Sequence, residues 1–469
     1  MCVPGWLRGK RTKIVCTIGP ASASPGILAA MVRAGMDVAR LNFSHGTREE
    51  HVRTSRLVRR IAERQGRPVA VLADLEGPRI RVGKVAEGTT LTPRTKVVLT
   101  TRDVEGDAAT VPVSYDLGRD VRRGDAVLLA DGSLELRVVG RGMRGLECRV
   151  RVGGPLASHK GVNVPSRTLS LPSLTRKDAV DLRFAVESGF DLLAQSFVQS
   201  ARDVNNARRL SKAAGRVLPI IAKIERQGAL DRLEEILDAA DGIIVARGDL
   251  GVEIPLARVP RVQKRIIHAA NARAKPVVTA TQMLESMVTN PRPTRAEATD
   301  VYNAILDGTD AVMLSEESAV GRHPVESVRV LASIAQEAEA ALTARPIDPD
   351  GADVKAAVAA AAVTLARDLQ VAAIVAPTST GRTPRAVSRH RPGPPILALS
   401  ADAAVLRGLS LSWGVVPVAV RGRLDLKELA AKASALLRAE GVARRTPFVV
   451  TMGYPPGQGL TNMVLVLET

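Results

Sequence analysis

The run "IIAKIE" (220–225) decides how this chain is read. Ile220, Ile221 and Ala222 begin as a buried strand begins, yet Lys223 and Glu225 follow, two positions apart. Strand side chains alternate sides, so those two share a face. Lysine and glutamate are rarely buried unless they are paired or employed. The six residues leave two readings open. One is a structural ion pair at a strand end; the other is a charged site at the mouth of a barrel.

Working outward, similar apolar runs ending in polar residues recur. They are "IVCTIG" (14–19), "DVARLNF" (37–43), "VAVLADL" (69–75), "LLAQSFV" (192–198), "GIIVARGDL" (242–250), "PVVTATQML" (276–284) and "AVMLSEE" (311–317). Helical stretches such as "PGILAAMVRAG" and "DAVDLRFAVESG" separate most of them. Alternating strand and helix patterns predict βα units around a parallel sheet. With "IIAKIE" the runs number eight, which predicts a (β/α)8 TIM barrel, typically of ~250 residues.

Two stretches fall outside that rhythm. Between Arg79 and Leu171 the runs "KVVLTT", "AVLLADG", "LELRVVG" and "LECRVRV" alternate as strands do. They predict a small β-barrel domain inserted after the third strand. Gly140, Gly142 and Gly145 there match a dinucleotide fingerprint in form only, because strands flank them and no helix follows. A hairpin loop is the expectation. The Pro- and Asp-rich "RPIDPDGAD" (345–353) then reads as a linker to a C-terminal α/β domain. The expected division is 1–78 with 172–343 for the barrel, 79–171 for the insertion and 344–469 for the last domain.

Composition narrows the function classes. The 469 residues carry a formal net charge of +18, but the arginines are scattered and form no basic tail. At 2% aromatics there is little to stack single-stranded nucleic acid on, so no nucleic-acid partner is expected. An anionic substrate is a better use for part of the charge. Cys2, Cys16 and Cys148 are too few and too dispersed for a disulfide framework or a zinc site. No signal-peptide pattern and no run of ~18 apolar residues occurs, so the expectation is a soluble, cytoplasmic protein with no membrane partner.

Barrel active sites form at the C-terminal ends of the strands. Those ends supply Arg40, Asn42, Ser44, Asp74, Ser196, Lys223, Glu225, Asp249, Thr281, Ser315 and Glu317. Glu225 and Asp249 close consecutive strands with an ammonium beside them. Mg²⁺ is usually held by one or two carboxylates plus substrate oxygens. No P-loop signature occurs.

With these residues in view, the chain resembles the pyruvate kinases. The matching stretches are "TKIVCTIGPAS" (12–22), "AGMDVARLNFSHG" (34–46), "GPRIRVG" (77–83), "KGVNVP" (160–165), "IIAKIE", "ARGDLGVE" (246–253), "TATQMLESM" (279–287), "PRPTRAEATDVYNAILDGTDAVMLS" (291–315) and "SRHRP" (388–392). They run in family order along nearly the whole chain. The resemblance implies Mg²⁺-dependent (or Mn²⁺-dependent) phosphoryl transfer from phosphoenolpyruvate to ADP, giving pyruvate and ATP at the last step of glycolysis. It implies Glu225 and Asp249 as metal ligands and Lys223 as the lysine between phosphoryl group and enolate oxygen. Arg40 is implied as the phosphate clamp, and Gly248 with the backbone at Asp249 as the carboxylate seat. Thr281 falls where the family places a hydroxyl near the carbon that is protonated, and Ser315 joins the implied catalytic group. Asn42, Ser44, His45, Arg81 and Lys160 match nucleotide-side positions, with Lys160 on the inserted lid. A homotetramer and a sugar-phosphate or nucleotide effector are further implications. A rival reading, a Mg²⁺-dependent barrel acting on an enolate as a lyase or aldolase does, would need neither Lys160 nor Arg81.

The chain departs from the family at four places. Glu316 stands where a small residue is usual, and its charge is expected to disturb the eighth strand end. Pro384 stands for an alanine beside "TSTGRT", a loop that reads equally as a phosphate cradle or an N-cap turn. In "ADLEGPRIRVG" (73–83), Leu75 replaces a threonine and Arg79 a glutamate. Many family members hold K⁺ with residues matching Asn42, Ser44, Asp74 and the backbone oxygen of residue 75. An always-protonated guanidinium at Arg79 would substitute for that ion by pairing with Asp74 or with substrate phosphate. The expectation is an enzyme that does not require K⁺.

Overall fold

Eight of the apolar runs become eight parallel strands in the computed structural model, which describes residues 9–165, 169–342, 353–455 and 460–469. They are β1 (Lys13–Thr17), β2 (Val38–Asn42), β3 (Ala70–Asp74), β4 (Leu192–Gln195), β5 (Ile220–Ile224), β6 (Gly242–Ala246), β7 (Val277–Ala280) and β8 (Ala311–Leu314). Each pairs with its neighbours in sequence, and β8 closes on β1 with Ala311 opposite Lys13. Both faces of these strands are buried, so their sequences read as continuous apolar runs. Val15, Val38, Leu72, Ile221, Ile244 and Met313 fill the barrel interior. The alternate residues, such as Ile14, Val71, Ile220 and Ile243, pack outward against the helices. Capping boxes at Thr47/Glu50, Thr175/Asp178 and Thr294/Glu297 fix where three of those helices begin.

Three expected runs end early. β6 stops at Ala246 and a short helix, Arg247–Glu253, takes over. Asp249 therefore sits in the first turn of a helix, where a carboxylate is electrostatically favoured, and not at a strand end. β7 stops at Ala280 because Thr281 and Gln282 take positive φ angles, 68° and 54°. Phe197, at φ 54°, bends the chain just beyond β4. Backbone in that left-handed region cannot continue a strand.

The insertion holds its own core, from Ile80 to Leu169. Its strands form a six-stranded sheet and a separate two-stranded ladder; among the described residues only β1–β8 close into a ring. Gly142 and Gly145 face each other across the expected hairpin turn. A Cβ on Gly145 would lie 2.2 Å from the Leu99 carbonyl oxygen, so that glycine is required.

The C-terminal unit is a five-stranded sheet with helices on both faces. The 343/344 boundary and most of the 345–353 linker lie outside the described residues, as does Cys2. This unit seals the N-terminal end of the barrel. Leu411 joins the barrel's interior cluster, and Lys13 Nζ donates to the Val415 carbonyl at 2.7 Å. Arg391, from "SRHRP", is 1% exposed and donates to Asp310 Oδ2 (3.0 Å), Asn271 Oδ1 (3.0 Å) and the Gly308 carbonyl (2.6 Å). Asp310 in turn accepts from the backbone N–H of Val277 and of Trp413. Removing one partner of a buried ion pair costs about 3–5 kcal/mol. Arg391→Ala should therefore lower the melting temperature sharply in calorimetry, and an unchanged value would contradict this account of the domain junction.

Candidate active site

β5 points Ile221 into the barrel, so Lys223 two residues on also points inward, 7% exposed. Its ammonium donates to Ser196 Oγ at 2.8 Å and lies 2.8 Å from Glu225 Oε1 and 3.6 Å from Asp74 Oδ1. Burial alone would push Lys223 down; Asp74 and Glu225 overcome it and hold the ammonium above its usual value. Glu225 is fully buried, and its Oε2 accepts from the Phe197 N–H at 2.6 Å. Burial, with Asp249 adding to it, pushes Glu225 above the usual carboxylate range despite Lys223.

Asp74, at the end of β3, faces the same cluster. Arg40 on β2 donates its Nε to Asp74 Oδ2 at 2.6 Å and its Nη1 to Thr17 Oγ1 at 2.7 Å. Burial raises Asp74, but Lys223 and Arg40 together hold it below its ordinary value. The expected Arg79–Asp74 pair is not formed: Asp74 is taken by Arg40 and Lys223, and Arg79 is exposed. The carbonyl of Leu75 accepts the Ser196 hydroxyl at 2.7 Å, while the Leu75 side chain packs outward into the helix layer. Asn42 Oδ1 accepts from the Ser44 N–H, and His45 sits exposed in the same turn.

Across the barrel mouth, the strained Thr281 meets Gly248. Thr281 Oγ1 accepts from the Gly248 N–H at 2.8 Å and donates to the Ala280 carbonyl at 2.6 Å. Arg247 braces this bend, donating to the carbonyls of Ala280 (3.2 Å) and Thr281 (2.7 Å) while paired with Asp300. Beyond β8, Glu317 accepts from the N–H groups of Ser315 (2.7 Å) and Leu284 (3.1 Å), tying the seventh and eighth strand ends together. Glu316 is exposed and opens a short helix; β8 keeps its pairing with β1 through Leu314, so the expected disturbance is absent. In the C-terminal unit, Thr378 Oγ1 accepts from the Gly381 N–H at 2.8 Å, and Pro384 is buried in the helix that follows.

The inserted domain faces the barrel mouth over a cavity of about 280 Å³, whose lining includes Arg79, Arg81, Lys160, Phe197, Arg226 and Asp249. Arg81 Nη1 donates to the His159 carbonyl, and Lys160 is exposed. Asn163 of the insertion donates to Glu253 at 3.4 Å, a carboxyl that burial pushes up to about 7.

Among the described residues no group of three or more His, Cys, Asp or Glu side chains converges as a metal cage. The arrangement fits a hard divalent ion completed by substrate oxygens instead. Glu225 Oε1 has Lys223 alongside but no directed hydrogen bond, so a buried carboxylate oxygen is left over. Three carboxylates, Asp74, Glu225 and Asp249, act on Lys223, and Arg40 faces it as a second cation.

Strand-end reasoning missed Thr17, Arg226 and Arg247. Arg247 stands directly before Gly248 and Asp249 in "ARGDLG", which is the signal that could have exposed it. Arg226 likewise follows Glu225 directly.

Comparison with known proteins agrees with this geometry. A family model described as pyruvate kinase, barrel domain, matches residues 9–328, and one described as pyruvate kinase, alpha/beta domain, matches 356–467. The chain is 44% identical over 476 residues to the pyruvate kinase of Thermococcus litoralis, covering 98% of this chain and 99% of that one. It is 45% identical to the pyruvate kinase of Geobacillus stearothermophilus, over 97% of this chain and 80% of that one. Pyruvate kinase 2 of Synechocystis is 46% identical over 89% of this chain and 71% of its own length. Both family models match in order and one relative aligns almost end to end, so the chain belongs to the pyruvate kinase family, phosphotransferases that convert phosphoenolpyruvate and ADP to pyruvate and ATP.

Proposed function

We propose that Lys223 and Arg40 carry the phosphoryl transfer in this chain, with Glu225 and Asp249 holding the divalent ion. The buried ammonium of Lys223 between Asp74 and Glu225 is the observation that carries the reading. Phosphoryl transfer needs positioning and charge neutralisation more than covalent help. Arg40 is held by Asp74 and Thr17, yet each terminal nitrogen keeps a second N–H for a phosphate oxygen. Lys223 faces the oxygen on which charge develops as its bond to phosphorus breaks and the bond to ADP forms. Bound Mg²⁺ or Mn²⁺ supplies Lewis-acid charge to those oxygens. The substrate carboxylate takes the Gly248 N–H that Thr281 now occupies. That exchange loosens the Thr281 side chain, whose O–H leaves the Ala280 carbonyl to turn toward the enolate carbon. Ser315 follows Leu314, the last residue of β8, and is read as a further member of the catalytic group.

The nucleotide lies in the cleft under the inserted lid (79–171), against Arg81 and Lys160, with Asn42, Ser44 and His45 at its barrel edge. The C-terminal unit (344–469) is read as the site of effector control and of assembly into a homotetramer, and the enzyme as cytoplasmic. In the described residues no helix is long and apolar enough to cross a membrane.

The reading includes independence from K⁺. Asp74 already has two cations, the Leu75 carbonyl already has a donor, and Arg79 lines the substrate cleft, where among the described residues it pairs with no carboxylate. A coupled assay with phosphoenolpyruvate, ADP and Mg²⁺ in sodium buffer, with and without KCl at constant ionic strength, should give nearly equal rates. A stimulation of about tenfold or more by K⁺, worth ~1.4 kcal/mol, would defeat the idea. The double variant Leu75→Thr, Arg79→Glu should then gain a K⁺ requirement.

A further inference from the structure

Arg226 is a buried cation that, among the described residues, has no carboxylate partner. It is 6% exposed, and its Nε and Nη1 have no hydrogen-bond acceptor. Among the described residues it forms no ion pair within 4.0 Å. Its guanidinium meets the Phe197 ring, with Cζ 4.6 Å from the ring centroid. A charged group in such a place costs free energy unless something completes it. Glu253, Glu225 and Asp249 attract it only through space, and burial still lowers its proton affinity. The guanidinium opens into the cavity between barrel and insertion, alongside Arg79, Arg81 and Lys160. Phe197 is itself fixed, since its N–H is held by Glu225 and its ring lies where a Cβ on Gly77 would fall. The guanidinium therefore rests against a fixed ring at the wall of the cleft, with Nε and Nη1 buried and unsatisfied.

We propose that Arg226 binds the phosphate chain of the nucleoside diphosphate. This rests on the nucleotide-side reading of the cleft given above. A planar fork of N–H donors suits oxyanions in two-point contact, which an ammonium does not provide. The phosphoenolpyruvate seat is the weaker alternative, because Lys223 and Arg40 there are held by Asp74, and among the described residues Arg226 forms no ion pair with that carboxylate.

The test is steady-state kinetics of the full chain carrying Arg226→Gln, with Arg226→Lys beside it and Lys160→Ala as a control for the cleft. Losing a charge-assisted hydrogen bond should raise the KM for ADP about tenfold or more, with a much smaller change for phosphoenolpyruvate. Arg226→Lys should recover part of the loss and is read the same way if the glutamine variant does not fold. A KM for ADP that stays put while the melting temperature falls would overturn the proposal, as would equal rises for both substrates. If Lys160→Ala raises the KM for ADP and Arg226→Gln does not, the cleft reading stands and only this assignment fails. If only Arg226→Gln raises it, Arg226 stands and Lys160 leaves the site.

Discussion

Lys223→Met should slow phosphoryl transfer by roughly 10²–10³-fold, the usual loss when one charge-stabilising donor leaves such a site. Methionine keeps most of the aliphatic stem and removes the ammonium. Arg40 still neutralises Asp74, so the barrel end should hold its shape. Glu225 loses its paired ammonium and keeps the Phe197 N–H. The divalent ion should therefore still bind, and phosphoenolpyruvate with it, since Arg40 is untouched. Turnover at saturating substrates would be measured beside direct binding of Mg²⁺ and phosphoenolpyruvate and a circular dichroism melt. Turnover near that of the unaltered chain would sink the assignment. A variant that fails to fold would favour the alternative with which the sequence began, a structural ion pair between Lys223 and Glu225.

The barrel was legible because parallel strands buried on both faces leave unbroken apolar runs, and because each run ends where its chemistry starts. Lys223, Glu225, Arg40 and Asp74 meet because neighbouring parallel strands end at one level. What could not be read was the turn of the backbone beyond each strand. Positive φ at Phe197, Thr281 and Gln282 redirects the chain after β4 and β7, and no side-chain pattern announces it. Alternation would send Arg226 away from Glu225; the bend after β5 instead lays it over Phe197, in the cleft. Arg79 shows a different limit. The sequence supplies its charge, but Asp74 is claimed by partners on β2 and β5 that are distant in the chain and adjacent across the barrel. The cradle-like loop at Thr378 was likewise ambiguous, because a hydroxyl that caps its own turn is written with the same letters as a phosphate site.

Excising Arg79–Leu171 and bridging the ends with a short Gly/Ser linker should leave a folded barrel that makes no ATP. The ends of the insertion lie close together: the Gly77 N–H is bonded to Asp178 at 3.1 Å and Glu76 pairs with Lys177 at 3.3 Å. Closing a short loop across that gap costs little. The insertion buries its own core, so its removal takes no residue from the barrel interior. Lost instead are Arg81, Lys160 and the roof of the nucleotide cleft. Without them ADP is neither positioned nor shielded from water, and the transfer rate should fall more than ~10³-fold. Helical circular dichroism and retained phosphoenolpyruvate binding would show the barrel intact, and the coupled assay would report ATP. If the shortened chain aggregates, Arg81→Ala combined with Lys160→Ala in the full chain asks the same question without cutting the backbone. Kinase activity that survives in either form would mean that the barrel mouth alone positions both substrates, and that the inserted domain is no lid.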